Sequence, residues 1–257
     1  TMHNTICFST FPYLKYNERN SSESIQHYNS GNCIIFVYFM KMYLFNNYHV
    51  KSYIIGDNGM DLFGTHNDAK LIYNLFYIFY LNNKNIWHTP ELYLNNICQK
   101  INKSNIILIY FSGHSNKNGN IIIKNKCYSV NYFLNLINLN KFNCQVIFII
   151  DTCYGKEFIQ NNKYKYKFIK KIEYFVSYSD TNNSKEFLIN FNKDDYEYTK
   201  INKYSKIVNG IFTYYFYKIL KNKNYKINEF KKIKDSHIWT YVKNNFNQEI
   251  FYFSNIL

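Results

Sequence analysis

Two short stretches join residue types suited to nucleophilic chemistry. Val146-Ile147-Phe148-Ile149-Ile150 runs straight into Asp151-Thr152-Cys153-Tyr154-Gly155, and Ile106-Ile107-Leu108-Ile109-Tyr110-Phe111 runs into Ser112-Gly113-His114. A thiol is already partly ionised near neutral pH, and a neighbouring imidazole favours the thiolate further. Cys153 and His114 are therefore candidates for a nucleophile and its acid–base partner. Gly113 lets backbone approach a substrate closely, and its N–H is a candidate oxyanion donor. Taken singly, Cys153 reads as a small core residue and His114 as a polar loop residue. Their shared position, each just past an apolar run, is what sets them apart.

Competing chemistries lack their residues. A cysteine phosphatase loop needs an arginine six residues after the nucleophile, where Ile159 stands. A G-x-S-x-G elbow and a G-x-x-x-x-G-K phosphate loop are both absent from the sequence.

The elements that must carry these residues follow from the hydrophobic pattern. Five consecutive apolar residues rich in β-branching read as a strand buried on both faces, as in a parallel sheet. In such a sheet, sites form beyond the carboxyl ends of the strands. Ser52–Gly56 reads as an earlier strand, followed by a Gly/Asp/Asn turn and a helix capped by Thr65 or Asn67, with Ala69, Ile72, Leu75, Phe76 and Phe79 on one face. A minor strand is expected near Ile86-Trp87. Thr89-Pro90-Glu91 combines a capping hydroxyl, a first-turn proline and an acid, so a helix is expected to about Ile101. Gly119–Ser129 reads as a hairpin, Ser129 as the cap of a helix through Leu139, and Lys156–Lys171 as a basic loop. Ile172–Val176 is a strand, Asn209 or Gly210 opens a helix to Leu220, a second basic helix covers about 228–245, and Ile250–Phe253 is a last strand. Residues 1–32 read as an arm or irregular cover, and 33–45 as either a strand or a buried helix. Alternating strands and helices make the expected fold α/β, a mostly parallel sheet flanked by helices on both faces. Residues 51–257 would form the domain and 1–50 an arm or extra cover.

Composition sets limits on the functional class. The net charge is +14, from 31 Lys+Arg against 17 Asp+Glu, which invites a nucleic-acid reading. The lysines, however, are spread along the chain, and Arg19 is the only arginine. With no zinc-finger or RNP-type signature, no specific nucleic-acid partner is expected. Only 8 glycines and 2 prolines are present, so asparagine is expected to fill many turns. Six cysteines form no CxxC pair and no zinc spacing, so free thiols in a reducing, cytoplasmic setting are expected. No apolar run is long enough to span a bilayer, so no membrane association is expected. No cofactor is called for.

Tyr110-Phe111-Ser112-Gly113-His114 and Asp151-Thr152-Cys153 resemble the two catalytic boxes of caspase-like cysteine peptidases, specifically the metacaspase branch. Tyr53-Ile54-Ile55-Gly56 resembles that family's first strand and Asn67-Asp68-Ala69 its N-D-A helix start. Ser177–Glu186 resembles its serine- and acid-containing segment, and Gly210, Phe212 and Thr213 resemble G-x-F-T. Gln248 and Ser254 resemble the closing Q-x-P-x-x-x-S, with Ile250 in place of proline. The resemblance covers about residues 51–257. It implies that Cys153 is the nucleophile, that His114 protonates the leaving amine, and that the Gly113 and Cys153 N–H groups form the oxyanion hole. It also implies a pocket for a basic side chain at Asp68, Ser112 and Asp151, hence cleavage of peptides and proteins after Lys or Arg. Two carboxylates suit a cationic side chain, whereas aspartate-cleaving relatives use arginines. Ser115 replaces the glycine that usually follows the histidine, and Tyr154-Gly155 shortens the cysteine box. No Asp or Glu lies between His114 and Asp151, so carboxylate ligands for calcium are missing there and no metal is expected. An alternative reading keeps the fold but makes the chain a catalytically weak protein acting through protein–protein interaction.

Overall fold

Long apolar, β-branched runs favour strands, whose backbone groups pair in a ladder and whose side chains, apolar on both faces, bury between two layers. The computed structural model describes residues 24–30, 33–41, 49–59, 61–75, 106–160, 166–178, 186–189, 207–223 and 227–256. In chain order these form β1 (Ser24–Ser30), β2 (Cys33–Lys41), β3 (His49–Asp57), α1 (Thr65–Leu75), β4 (Ile106–Ser112), β5 (Ile121–Ile123), β6 (Lys126–Tyr128) and α2 (Val130–Leu139). Then come β7 (Cys144–Asp151), α3 (Gly155–Gln160), β8 (Ile169–Tyr178), β9 (Glu186–Ile189), β10 (Ile207–Gly210) and α4 (Ile211–Lys223). A 3-10 segment (Ile227–Asp235), α5 (Ile238–Phe246) and β11 (Glu249–Ile256) close the chain.

Among the described residues, seven strands make one sheet in the order β1-β2-β3-β4-β7-β8-β11. The four central strands, β3, β4, β7 and β8, run parallel, while β1 and β2 on one side and β11 on the other are antiparallel. The fold is thus α/β with a parallel centre and helices on both faces. Alternation along the strands divides the core in two. Ile107, Ile109, Phe111, Phe148 and Ile150 face α2, represented by Phe133, Leu134 and Ile137. Leu108, Tyr110, Ile147 and Ile149 face the opposite layer, with Ala69 and Ile72 of α1, Phe212 and Phe216 of α4, and Trp239 of α5.

Phe148 sits at the centre of the first layer, fully buried. Its ring stacks on Tyr174 at 5.3 Å and meets Phe133 and Phe158 edge-on. Phe148→Ala is expected to cost about 3–5 kcal/mol, through lost burial and an incompletely closed cavity. Urea denaturation of the variant beside wild type measures it.

Several sequence expectations change. Residues 24–30, read as part of an arm, are a strand, and the 33–45 ambiguity resolves to the strand β2. The ladder of β2 runs along the whole of β3, from Cys33–Asp57 to Lys41–His49, so the sheet extends well before residue 51. The basic stretch 156–171 is not all loop: α3 occupies its start, and β8 begins at Ile169. The second basic helix divides into the 3-10 segment and α5. The expected strand near Ile86-Trp87 and the helix opened by Thr89-Pro90-Glu91 lie outside the described residues.

Turns bear out the expected use of asparagine. The β5–β6 hairpin turns through Lys124 and Asn125, at φ 48° and 63°, and α5 ends at Asn247 in the left-handed conformation. Ser129 caps α2 by accepting the Tyr132 N–H at 3.2 Å.

Candidate active site

The ends of β4 and β7 define the site. Their parallel ladder pairs Ser112 with Asp151, and His114 and Cys153 each stand two residues beyond that pair. Two further bonds tie the segments together. The Gly113 N–H donates to the Asp151 carbonyl at 3.2 Å, and the Tyr154 N–H donates to the Ser115 hydroxyl at 3.2 Å. Ser115, which stands where the resembled family has glycine, thus fastens the histidine box to the residue after Cys153.

The cysteine turn is held from β8. The Ser177 hydroxyl donates to the Thr152 carbonyl at 2.8 Å and accepts the Thr152 N–H at 3.0 Å. One hydroxyl therefore grips the peptide groups on both sides of Thr152. Gly155 packs against the Ser177 carbonyl, where a Cβ would collide with backbone. The Cys153 thiol is free of any disulfide and partly exposed.

His114 is placed by a different set of contacts. Its carbonyl accepts the Ile122 N–H from the β5–β6 hairpin at 2.9 Å. Gly59, at φ +55°, lies against its ring, and a Cβ there would come within 2.7 Å of His114 Cδ2. Its Nε2 lies 2.6 Å from Asp61 Oδ1. Asp61 belongs to the loop after β3 and lies outside the motifs that the sequence offers. The signal available was its position between Gly59 and Gly64, in a loop that leads to the Asp68 helix.

Asp68, Ser112 and Asp151 come together on the α1/α4 side of the sheet. Asp68 is fully buried at the first turns of α1 and accepts from Ser112 Oγ at 2.8 Å, Asn209 Nδ2 at 2.7 Å and the Gly210 N–H at 2.9 Å. Asp151, 4% exposed, accepts from the Thr213 N–H at 3.2 Å and its hydroxyl at 2.8 Å. Tyr110 OH meets the same Thr213 hydroxyl at 2.7 Å. Gly210 separates the carboxylates: a Cβ there would strike Asp151 Oδ2 and lie 2.8 Å from Asp68 Oδ2. Asn209, Thr213 and Tyr110 thus join this hydrogen-bonded cluster; in the sequence the first two stand out only as a helix start and a motif match.

Burial pushes the Asp68 carboxyl well above the ordinary carboxylate range, and the nearby Asp151 charge pushes it further. Bonds from Asn209, Ser112 and Gly210 oppose the shift without cancelling it. The same burial and the same two carboxylates raise Tyr110 well above the usual phenol range, keeping it neutral. Two buried carboxylates side by side are relieved by a shared proton or by a cation placed between them.

The parallel α/β sheet thus carries a thiol and an imidazole just beyond the ends of two adjacent strands, β7 and β4. The model of the caspase domain matches residues 45–247. The chain belongs to the caspase-domain family of cysteine peptidases. A comparison with curated proteins finds no significant match. Among the described residues, no helix is long and apolar enough to cross a membrane.

Proposed function

We propose that this protein is a cysteine endopeptidase of the metacaspase type that cleaves peptide bonds after Lys or Arg. The observation that carries the reading is the buried pair Asp68 and Asp151, converging beside Gly210 on neutral donors, with Asp151 two residues before Cys153. A Lys or Arg side chain reaching them would supply the positive charge that offsets their burial and mutual repulsion, and Arg would engage them through its planar fork.

In this reading Cys153 Sγ attacks the scissile carbonyl, and the carbonyl π electrons move onto oxygen. The resulting oxyanion is met by the Cys153 N–H. Gly113 joins it once its N–H leaves the Asp151 carbonyl. The C–N bond then breaks as His114 protonates the departing amine, leaving an acyl thioester that water hydrolyses. Asp68, Ser112 and Asp151 hold the residue before the cut.

A panel of fluorogenic peptides differing only at that residue tests the specificity. Arg and Lys peptides are expected to be cleaved at least about 100-fold faster, as kcat/KM, than Asp or Ala peptides, since the unmatched substrates leave the buried carboxylates without a cation. Preference for Asp would end the proposal. One observation favours the second reading, a chain that binds without efficient cutting: the Gly113 N–H is already engaged with Asp151. Stoichiometric labelling of Cys153 by an arginine-bearing electrophile, with no peptide turnover, would select that reading.

A further inference from the structure

We propose that Asp61 is the positioning residue of His114, so that the reacting set is a Cys153–His114–Asp61 triad. The inference rests on the cysteine-peptidase reading above and adds a residue to it. A carboxylate can only accept a hydrogen bond, so the 2.6 Å contact of Asp61 Oδ1 with His114 Nε2 places a hydrogen on Nε2. Nδ1 is then the nitrogen left to exchange a proton with the thiol and the leaving amine.

The loop that presents Asp61 is fixed on both sides of it. Upstream, the Asp57 carboxylate accepts the Gly59 N–H at 2.9 Å and the Lys124 N–H at 2.8 Å, which ties the loop to the β5–β6 turn. Downstream, the Glu186 carboxylate accepts the Phe63 N–H at 3.0 Å and the Gly64 N–H at 2.7 Å, which ties it to β9. Within the loop, the Leu62 N–H donates to the Asn58 carbonyl at 3.0 Å, and Thr65 Oγ1 bonds Asn58 Oδ1. The ring is thus backed by Gly59, anchored through its own carbonyl by Ile122, and aimed by Asp61. Asp61 itself is 75% exposed, so it does little packing that the fold would miss. What its contact does is select one ring orientation and one tautomer.

Asp61→Ala and Asp61→Glu, assayed on an Arg fluorogenic peptide beside wild type and Cys153→Ala, test the proposal. Asp61→Ala is expected to lower kcat by about 10- to 100-fold with KM held within about threefold, because orientation is lost while the basic pocket is untouched. Asp61→Glu is expected to recover most of that loss. Long-range proton–nitrogen spectra of the histidine rings, taken in the Cys153→Ala protein under conditions where His114 is neutral, should show the Nε2–H tautomer. Adding Asp61→Ala should give a mixture. A kcat within about twofold of wild type in Asp61→Ala, or a tautomer that does not respond to the substitution, overturns the proposal. If Cys153→Ala instead cleaves as fast as wild type, the cysteine-peptidase reading is what fails. The ring spectra, which need no turnover, then still decide whether Asp61 governs His114.

Discussion

Cys153→Ala is expected to lower kcat on Lys and Arg peptides by about 10⁴- to 10⁶-fold, the range seen when the nucleophile of a hydrolase is removed. The structure explains why the loss should be confined to chemistry. The turn that carries Cys153 is held by Ser177 at the peptide groups of Thr152 and by Ser115 at the N–H of Tyr154. Deleting Sγ therefore leaves the backbone frame and the carboxylate pocket in place. Binding of a non-cleavable Arg peptide to the variant should match wild type within about threefold, since uniform binding contacts survive. A variant that still turns over at a tenth of the wild-type rate or more would remove Cys153 from the mechanism.

The second large effect lies at the pocket. Asp68→Asn is expected to reduce kcat/KM for Arg and Lys peptides by about 100- to 1000-fold, because it removes one of two charges that pair a desolvated cation. The same substitution is expected to raise the melting temperature. Burial and the Asp151 charge give folded Asp68 a proton affinity above that of the unfolded chain. The stability linked to this group is therefore complete below the ordinary carboxylate range, and it is lost as pH rises through the elevated titration. An asparagine has no such titration. It also keeps an oxygen for Asn209 and Gly210, and the Ser112 hydroxyl can reverse to accept from its amide. Scanning thermal unfolding of both proteins across pH should show the variant's advantage widening toward alkaline pH. A constant difference, or a variant less stable than wild type throughout, would contradict a repulsive pair and with it the case for a cation site.

The strands that position the site were legible because burial on both faces leaves a plain mark: unbroken Ile, Val, Leu and Phe ending at polar residues. Thus β4, β7 and β8 lie where the sequence placed them. Ser129 and the 121–128 hairpin were legible from local turn chemistry. Two kinds of feature were not. Strand β1 reads as an arm because Ser24–Ser30 is largely polar, and its place depends on pairing with β2 rather than on its own apolar content. The Asp61 and Glu186 contacts join residues 53 and more than a hundred positions apart, and no local spacing reports them. Family resemblance alone proposes Asp68 and Asp151 as residues of a substrate pocket. Their mutual repulsion, and the Gly210 gap that permits it, depend on tertiary approach alone.

The division of the core by strand parity carries a consequence for how this chain tolerates change. Ser112 and Asp151 share the parity of Tyr110 and Ile149, and so project toward α1 and α4. Deleting one residue within β7 would leave its hydrophobic character almost unaltered. It would nonetheless rotate Asp151 toward α2, away from Asp68, and carry Cys153 out of step with His114. The sheet therefore acts as a reading frame for the chemistry at its edge, and length in its central strands is under stricter constraint than composition.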